Sequence, residues 1–115
     1  MLYRSNKIYV DDSPIHGRGV FASEKIKSGE ILEECHYIPL PIHIQYPAIL
    51  REHIFSWPKF SDGICICLGY GSIFNHSDNK FNAEWETDTT KNKFIFFALR
   101  DIEPGEEIFT NYKKI

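Results

Sequence analysis

Three short stretches of this chain hold residues whose types and spacing could do chemistry. Near the start stands His16-Gly17-Arg18-Gly19-Val20-Phe21-Ala22. In the middle comes Gly69-Tyr70-Gly71-Ser72-Ile73-Phe74-Asn75-His76-Ser77, and near the end Gly105-Glu106-Glu107-Ile108-Phe109-Thr110-Asn111-Tyr112. Paired glycines let a backbone come close to a ligand. A tyrosine hydroxyl, with a reference pKa near 10, is a neutral hydrogen-bond donor and acceptor at neutral pH. Taken singly, each stretch also has an ordinary reading. Gly17-Arg18-Gly19 lacks the third glycine and the βαβ setting of a dinucleotide fingerprint, so alone it is a tight turn. Asn75-His76 alone is a polar pair after a buried strand, and Tyr112 alone anchors a last strand.

Two other chemistries are poorly supported. Cys65 and Cys67 share one face of a strand, because side chains alternate with period two. A structural zinc needs four ligands, usually in paired C-x(2–4)-C spacing, and only Cys35 and scattered histidines remain to complete it. No metal site is expected, and the thiols read as small buried hydrophobes. Cys35 and His36 are neighbours, so on a strand they point to opposite faces and make no nucleophile–base pair.

The elements that must position these stretches are short strands separated by turn formers. Strands are expected at Lys7 to Val10, Val20 to Ala22, Glu30 to Cys35, Ile64 to Leu68, Phe81 to Glu86, Phe94 to Leu99 and Glu107 to Tyr112. Asp11-Asp12-Ser13-Pro14 is the expected turn after the first of them. Ile31 and Leu32 are expected to pack inward. Asp88-Thr89-Thr90-Lys91-Asn92 joins a hairpin. The spacing of Ile49, Leu50, His53 and Ile54 predicts a short helix from Pro47 to Phe55, stopped by Pro58. Ile26-Lys27-Ser28-Gly29-Glu30-Ile31 is echoed by Ile102-Glu103-Pro104-Gly105-Glu106-Glu107-Ile108, each with a glycine where a turn needs positive φ. The architecture is mostly β, in small sheets with short helices.

A length of 115 residues fits one domain, spanning 1–115, with 43% hydrophobic and 15% aromatic residues to build its core. Nine Phe, six Tyr and two Trp suit a small fold that fills its interior with large rings. The net charge of −3 argues against nucleic acid as the main partner and favours a basic one. No run approaches the roughly 20 apolar residues of a membrane span, and Met1 to Val10 carries no signal-peptide core. The chain is expected to be intracellular, cytoplasmic or nuclear, with reduced cysteines.

The order of the three stretches is more specific than any one of them. G-x-G, then N-H-S, then G-E-E-ϕ-x-x-[DN]-Y resembles the SET-domain family of protein-lysine methyltransferases, over roughly residues 7 to 112. The minimal, stand-alone members of viruses and bacteria are the most similar kind. The resemblance implies a fold of several small sheets with a C-terminal pseudoknot. It also implies S-adenosylmethionine as cofactor, and methyl transfer to a lysine of a protein such as a histone tail. It assigns His16, Gly17, Arg18, Gly19, Asn75 and His76 to the cofactor and Tyr112 to catalysis. His53, Phe55 and Tyr70 are assigned to the substrate lysine.

Two departures from the family pattern bear on function. His53-Ile54-Phe55-Ser56 stands where small viral members have a Tyr-Leu-Phe-Ser-like stretch, placing a titratable group where a tyrosine is expected. Relatives also usually continue past the tyrosine with a covering segment, often a zinc-binding cysteine cluster, whereas this chain ends at Ile115 with no flanking zinc domains. The cover then falls to the Tyr37 to Phe60 segment, to a second subunit in a homodimer, or to the substrate. The alternative function is a SET-fold module that binds the cofactor or a peptide without turnover.

Overall fold

The computed structural model describes residues 2–111. Its strands in chain order are β1 (Ile8–Asp12), β2 (Arg18–Ala22), β3 (Ile31–Cys35), β4 (Tyr37–Leu40), β5 (Ile54–Ser56), β6 (Ile64–Cys67), β7 (Asn75–His76), β8 (Ala83–Asp88), β9 (Lys93–Ala98) and β10 (Glu107–Thr110). The short helix α1 (Ala48–Arg51) lies between β4 and β5. Three small sheets result, ordered β1-β2-β10-β7, β3-β9-β8 and β4-β6-β5. This is the mostly-β architecture the sequence predicts. β10 slots between β2 and β7, so the last described strand is held on both edges by segments from far earlier in the chain.

Rings fill the interior. Phe94 and Phe96 alternate inward on β9 and are fully buried. Phe94 meets Phe55, Trp57 and Trp85, while Phe96 stacks on Phe74 at 4.8 Å between centroids. Truncating either ring costs about 3–5 kcal/mol, the usual value for a large buried side chain. β8 and β9 form the expected hairpin, in register from Ala83↔Ala98 to Asp88↔Lys93.

Several local expectations are corrected. The helix spans four residues rather than running from Pro47 to Phe55, and none of its residues is buried. With no face to pack, so short a helix gains little from extension, and Ile54–Ser56 instead pair with β6. Asp11 and Asp12 extend β1, paired with Gly19 and Arg18, and the turn closes one step later through the Ser13 N–H to Gly17 carbonyl bond of 2.8 Å. Leu32 is fully buried but Ile31 is 39% exposed, as adjacent residues on a strand face opposite ways. A bulge between Ile31 and Glu33 then allows Glu33 to be buried beside Leu32.

The two echoed turns pair with each other. Ile26 and Ile102, both fully buried, exchange main-chain hydrogen bonds of 2.9 and 2.8 Å. Gly29 and Gly105 hold φ of 86° and 85°, the positive values read from their turns.

Candidate functional site

The three chemistry-bearing stretches converge on one sheet. β10 runs antiparallel to β2, with Glu107↔Phe21 and Ile108↔Val20, and parallel to β7, with Phe109↔Asn75 and Thr110↔His76. The G-x-G turn therefore opens at one edge of β10 and the Asn-His pair at the other.

Asn75 joins them. Its Nδ2 donates to the main-chain carbonyls of His16 and Arg18, 3.0 Å each, and to Glu107 Oε2 at 2.8 Å. Three acceptors around one nitrogen fix the amide's orientation. Asn75 then presents its Oδ1, an acceptor, away from this cluster. Glu107 Oε1 accepts from the Ser13 hydroxyl at 2.8 Å. Ser13 Oγ in turn accepts from the Ile15 and His16 N–H groups at 3.0 and 3.4 Å. The loop before β2 is thus closed by a ring of hydrogen bonds running through Ser13, Glu107 and Asn75.

The two glycines of the turn have different reasons. Gly17 takes φ of 49°, and a Cβ there would meet nothing within 4 Å, so open space lies over it. A Cβ on Gly19 would collide with Glu107 Oε2 and crowd Asn75 Nδ2. Gly19 is a glycine because a carboxylate of its own chain occupies that space.

His76 lies next on β7, with Nε2 2.7 Å from Asp78 Oδ1. Arg18 extends outward, its side chain 71% exposed and 4.0 Å from Asp12. Tyr70 begins the turn leading to β7, its carbonyl accepting from the Ile73 and Phe74 N–H groups. One face of its ring is covered by the Arg4 guanidinium at 3.8 Å. Buried Glu33 anchors both, accepting from Arg4 Nε at 2.6 Å and from the Tyr70 N–H at 3.0 Å.

His53 and Phe55 belong to a different part of the molecule. His53 sits in the turn between α1 and β5, and its buried Nδ1 has no hydrogen-bond partner among the described residues. Phe55 is 3% exposed, edge-on to Trp85, Phe94 and Phe96. Its ring packs into the aromatic core. Tyr112 lies outside the described residues.

The cysteines are packed as read. All three are buried and free. Burial pushes the Cys65 thiol up to about 12, and a hydrogen bond with Cys35 together with burial pushes Cys67 up as well. Neutral thiols held this way are poor nucleophiles.

Sequence reading missed Glu107, Ser13, Glu33 and Asn82. Asn82 is 1% exposed and clamps β10, donating from Nδ2 to the Glu107 carbonyl and accepting the Phe109 N–H on Oδ1, at 2.9 and 2.8 Å. The available signal was an asparagine and a second glutamate inside apolar segments, where a polar residue needs a partner.

The SET domain profile matches residues 17–113, nearly the whole chain. The chain belongs to the SET-domain family. Among similar proteins, a Schizosaccharomyces pombe histone-lysine N-methyltransferase specific for H3 lysine-37 is 32% identical over 108 residues, covering 90% of this chain and 71% of that protein. A crystal structure of a candidate histone methyltransferase from Plasmodium falciparum superposes with a TM-score of 0.76 at 31% identity, covering 96% of both chains. The Neurospora SET domain protein DIM-5, a histone lysine methyltransferase, has the same fold, with a TM-score of 0.76 at 18% identity over 97% of this chain and 54% of that one.

The residues of this SET domain suit S-adenosylmethionine. Asn75 has committed its donor and offers Oδ1, and an acceptor there matches the ammonium of the methionine end. The open space over Gly17 leaves room for a ligand to approach the backbone there.

Proposed function

We propose that this chain uses S-adenosylmethionine to methylate a lysine side chain in a basic segment of a protein, with a histone tail as the model substrate. The enzyme class, protein-lysine methyltransferase, follows from family membership and from its similarity to histone-lysine methyltransferases. One observation carries the cofactor reading. A single amide, Asn75 Nδ2, binds the G-x-G loop to the strand that leads directly to Asn111 and Tyr112.

The chain's own residues have three tasks in this chemistry. His16 to Gly19 and Asn75-His76 hold the cofactor so that its methyl faces the substrate. Bound, S-adenosylmethionine supplies a methyl on a positively charged sulfur. Alignment of lysine nitrogen, methyl carbon and sulfur removes an entropic barrier that can be worth about 7–11 kcal/mol. With the cofactor held by these residues, its methyl would pass to the neutral lysine nitrogen, the sulfur leaving as the neutral thioether and the added nitrogen proton going to solvent. Tyr112 is assigned to the transfer point, where its neutral hydroxyl orients the amine. The lysine arrives as an ammonium with a reference pKa of about 10.4, and an apolar channel favours its neutral form.

The net charge of −3 complements a basic tail. Ile38, Ile42, Ile44 and Ile49 are each more than half exposed, and this segment is assigned here to the contact of a homodimer. With a histone as substrate the enzyme works inside the cell, in the nucleus.

The test is thermal unfolding with and without S-adenosylmethionine, followed by radiolabelled transfer to histone H3 and Lys-rich peptides. At about 100 times its dissociation constant a ligand adds roughly 2.7 kcal/mol of stability, a shift of several degrees here. The absence of both a shift and transfer, even with peptide present, would overturn the proposal.

A further inference from the structure

We propose that Glu107, acting with Ser13, is a positioning residue that holds the cofactor loop in its binding shape. The proposal rests on the cofactor reading above and names groups outside the expected contact set. It stands on three observations.

The Glu107 carboxylate uses both oxygens on opposite sides of one loop. Oε1 takes the Ser13 hydroxyl and Oε2 takes the Asn75 amide, at 2.8 Å each. Only an acceptor at both positions satisfies both donors, which an ionised carboxylate provides. Ser13 cannot reverse its bond without loss, because Oγ already accepts from the Ile15 and His16 N–H groups.

The chain makes room for this carboxylate. Gly19 has no side chain where Oε2 lies. Any other residue at 19 would displace the Glu107 carboxylate and crowd Asn75 Nδ2, the atom that also holds the His16 and Arg18 carbonyls.

The ring also sets what Asn75 offers. With Nδ2 held by Glu107 and the two carbonyls, Oδ1 is left as the acceptor that Asn75 can offer a ligand. If Glu107 lost its acceptor there, the amide would keep only the His16 and Arg18 carbonyls, and the loop they belong to would lose its tie to β10. Glu107 therefore acts through Asn75 and Ser13 and touches neither cofactor nor substrate.

The test compares the whole chain with Glu107→Gln and Ser13→Ala. Glutamine keeps size and shape but turns one acceptor into a donor. Calorimetric titration with S-adenosylmethionine, melting temperature and far-ultraviolet circular dichroism are measured on all three. In transfer assays, KM for S-adenosylmethionine and KM for a Lys-rich peptide are measured separately. The expected result is about tenfold weaker cofactor binding in each variant, the loss of one charge-assisted hydrogen bond. Dichroism should be native-like and the peptide KM unchanged. A purely structural role would instead lower melting temperature and leave the affinity of the folded fraction intact. Ser13→Ala carries the test if Glu107→Gln does not fold, since Ser13 lies in a solvent-facing loop. Equal cofactor affinity in wild type and variants overturns the positioning role alone. No cofactor binding by the wild type overturns the cofactor reading, and this proposal with it.

Discussion

Two turns of this SET domain are built alike and end differently. Ala22 to Leu32 and Ala98 to Ile108 make the same hydrogen bonds around the mutual Ile26–Ile102 pair. The Ala22 N–H reaches the Glu106 carbonyl and the Ala98 N–H the Glu30 carbonyl; the Gly105 N–H reaches Ala22 and the Gly29 N–H Ala98. Glu30 accepts the Lys27 N–H with its side chain, and Glu106 accepts that of Glu103. This local twofold places Ile31 opposite Glu107 and buried Leu32 opposite buried Ile108, so the sequence echo carries no inserted residue. The divergence lies in one position. Ile31 is 39% exposed at the rim of its sheet, whereas Glu107 ties Ser13 and Asn75 together. A common scaffold thus carries a part-exposed aliphatic in one copy and, in the other, the carboxylate that ties down the G-x-G loop.

Breaking the shared part should hurt both copies equally. Ile26→Ala and Ile102→Ala each remove a fully buried side chain from one contact, and each should cost about 2–5 kcal/mol. Urea unfolding gives the two values, and a large difference between them would end the idea of a symmetric core. Next in size, Tyr112→Phe tests what lies beyond β10 alone. Methyl transfer should fall about a hundredfold or more with cofactor affinity retained, the typical scale for a positioned group at the reacting centre. Transfer at the wild-type rate would remove Tyr112 from the mechanism.

Gly29→Ala and Gly105→Ala then probe the turns. Both meet open space but hold φ near 85°, so each should cost about 1–2 kcal/mol by strain alone. Unequal costs would mean that one turn relaxes more easily. The smallest effect is in acid. Glu30 lies below the usual carboxylate range through the Lys27 N–H and then Lys7, and Glu106 through Arg100 and then the Glu103 N–H. A lowered folded pKa contributes stability above the unfolded value and loses it as pH falls through the folded one. Glu30→Gln and Glu106→Gln should each flatten the acid limb of stability below about pH 4.3, by a few tenths of a kcal/mol at these partly exposed, solvent-screened sites. Melts from pH 7 to pH 3 give the comparison.

Much was legible in the residues themselves. The ordered motifs identified the family, the two glycine turns were read with the correct sign of φ, and the β8–β9 hairpin was placed by its polar turn. These are local properties, fixed by glycine's freedom and by period-two alternation. The helix was overread because the spacing of Ile49, Leu50, His53 and Ile54 suits either element, and only pairing with β6 decides between them. That Phe55 packs edge-on to Trp85, Phe94 and Phe96 was not legible, because those partners lie far away in the chain.

What the sequence determined by itself was which residues have the chemistry: an amide, an imidazole, paired glycines and a tyrosine, in a family order. What only the tertiary structure decided was which of them act together. Glu107 and Ser13 are far apart in the chain, and no periodicity links them. They meet because β10 enters between β2 and β7, where hydrogen-bond geometry leaves one carboxylate between a serine and an asparagine. Only in three dimensions does Gly19 also appear as the residue that makes space for that carboxylate.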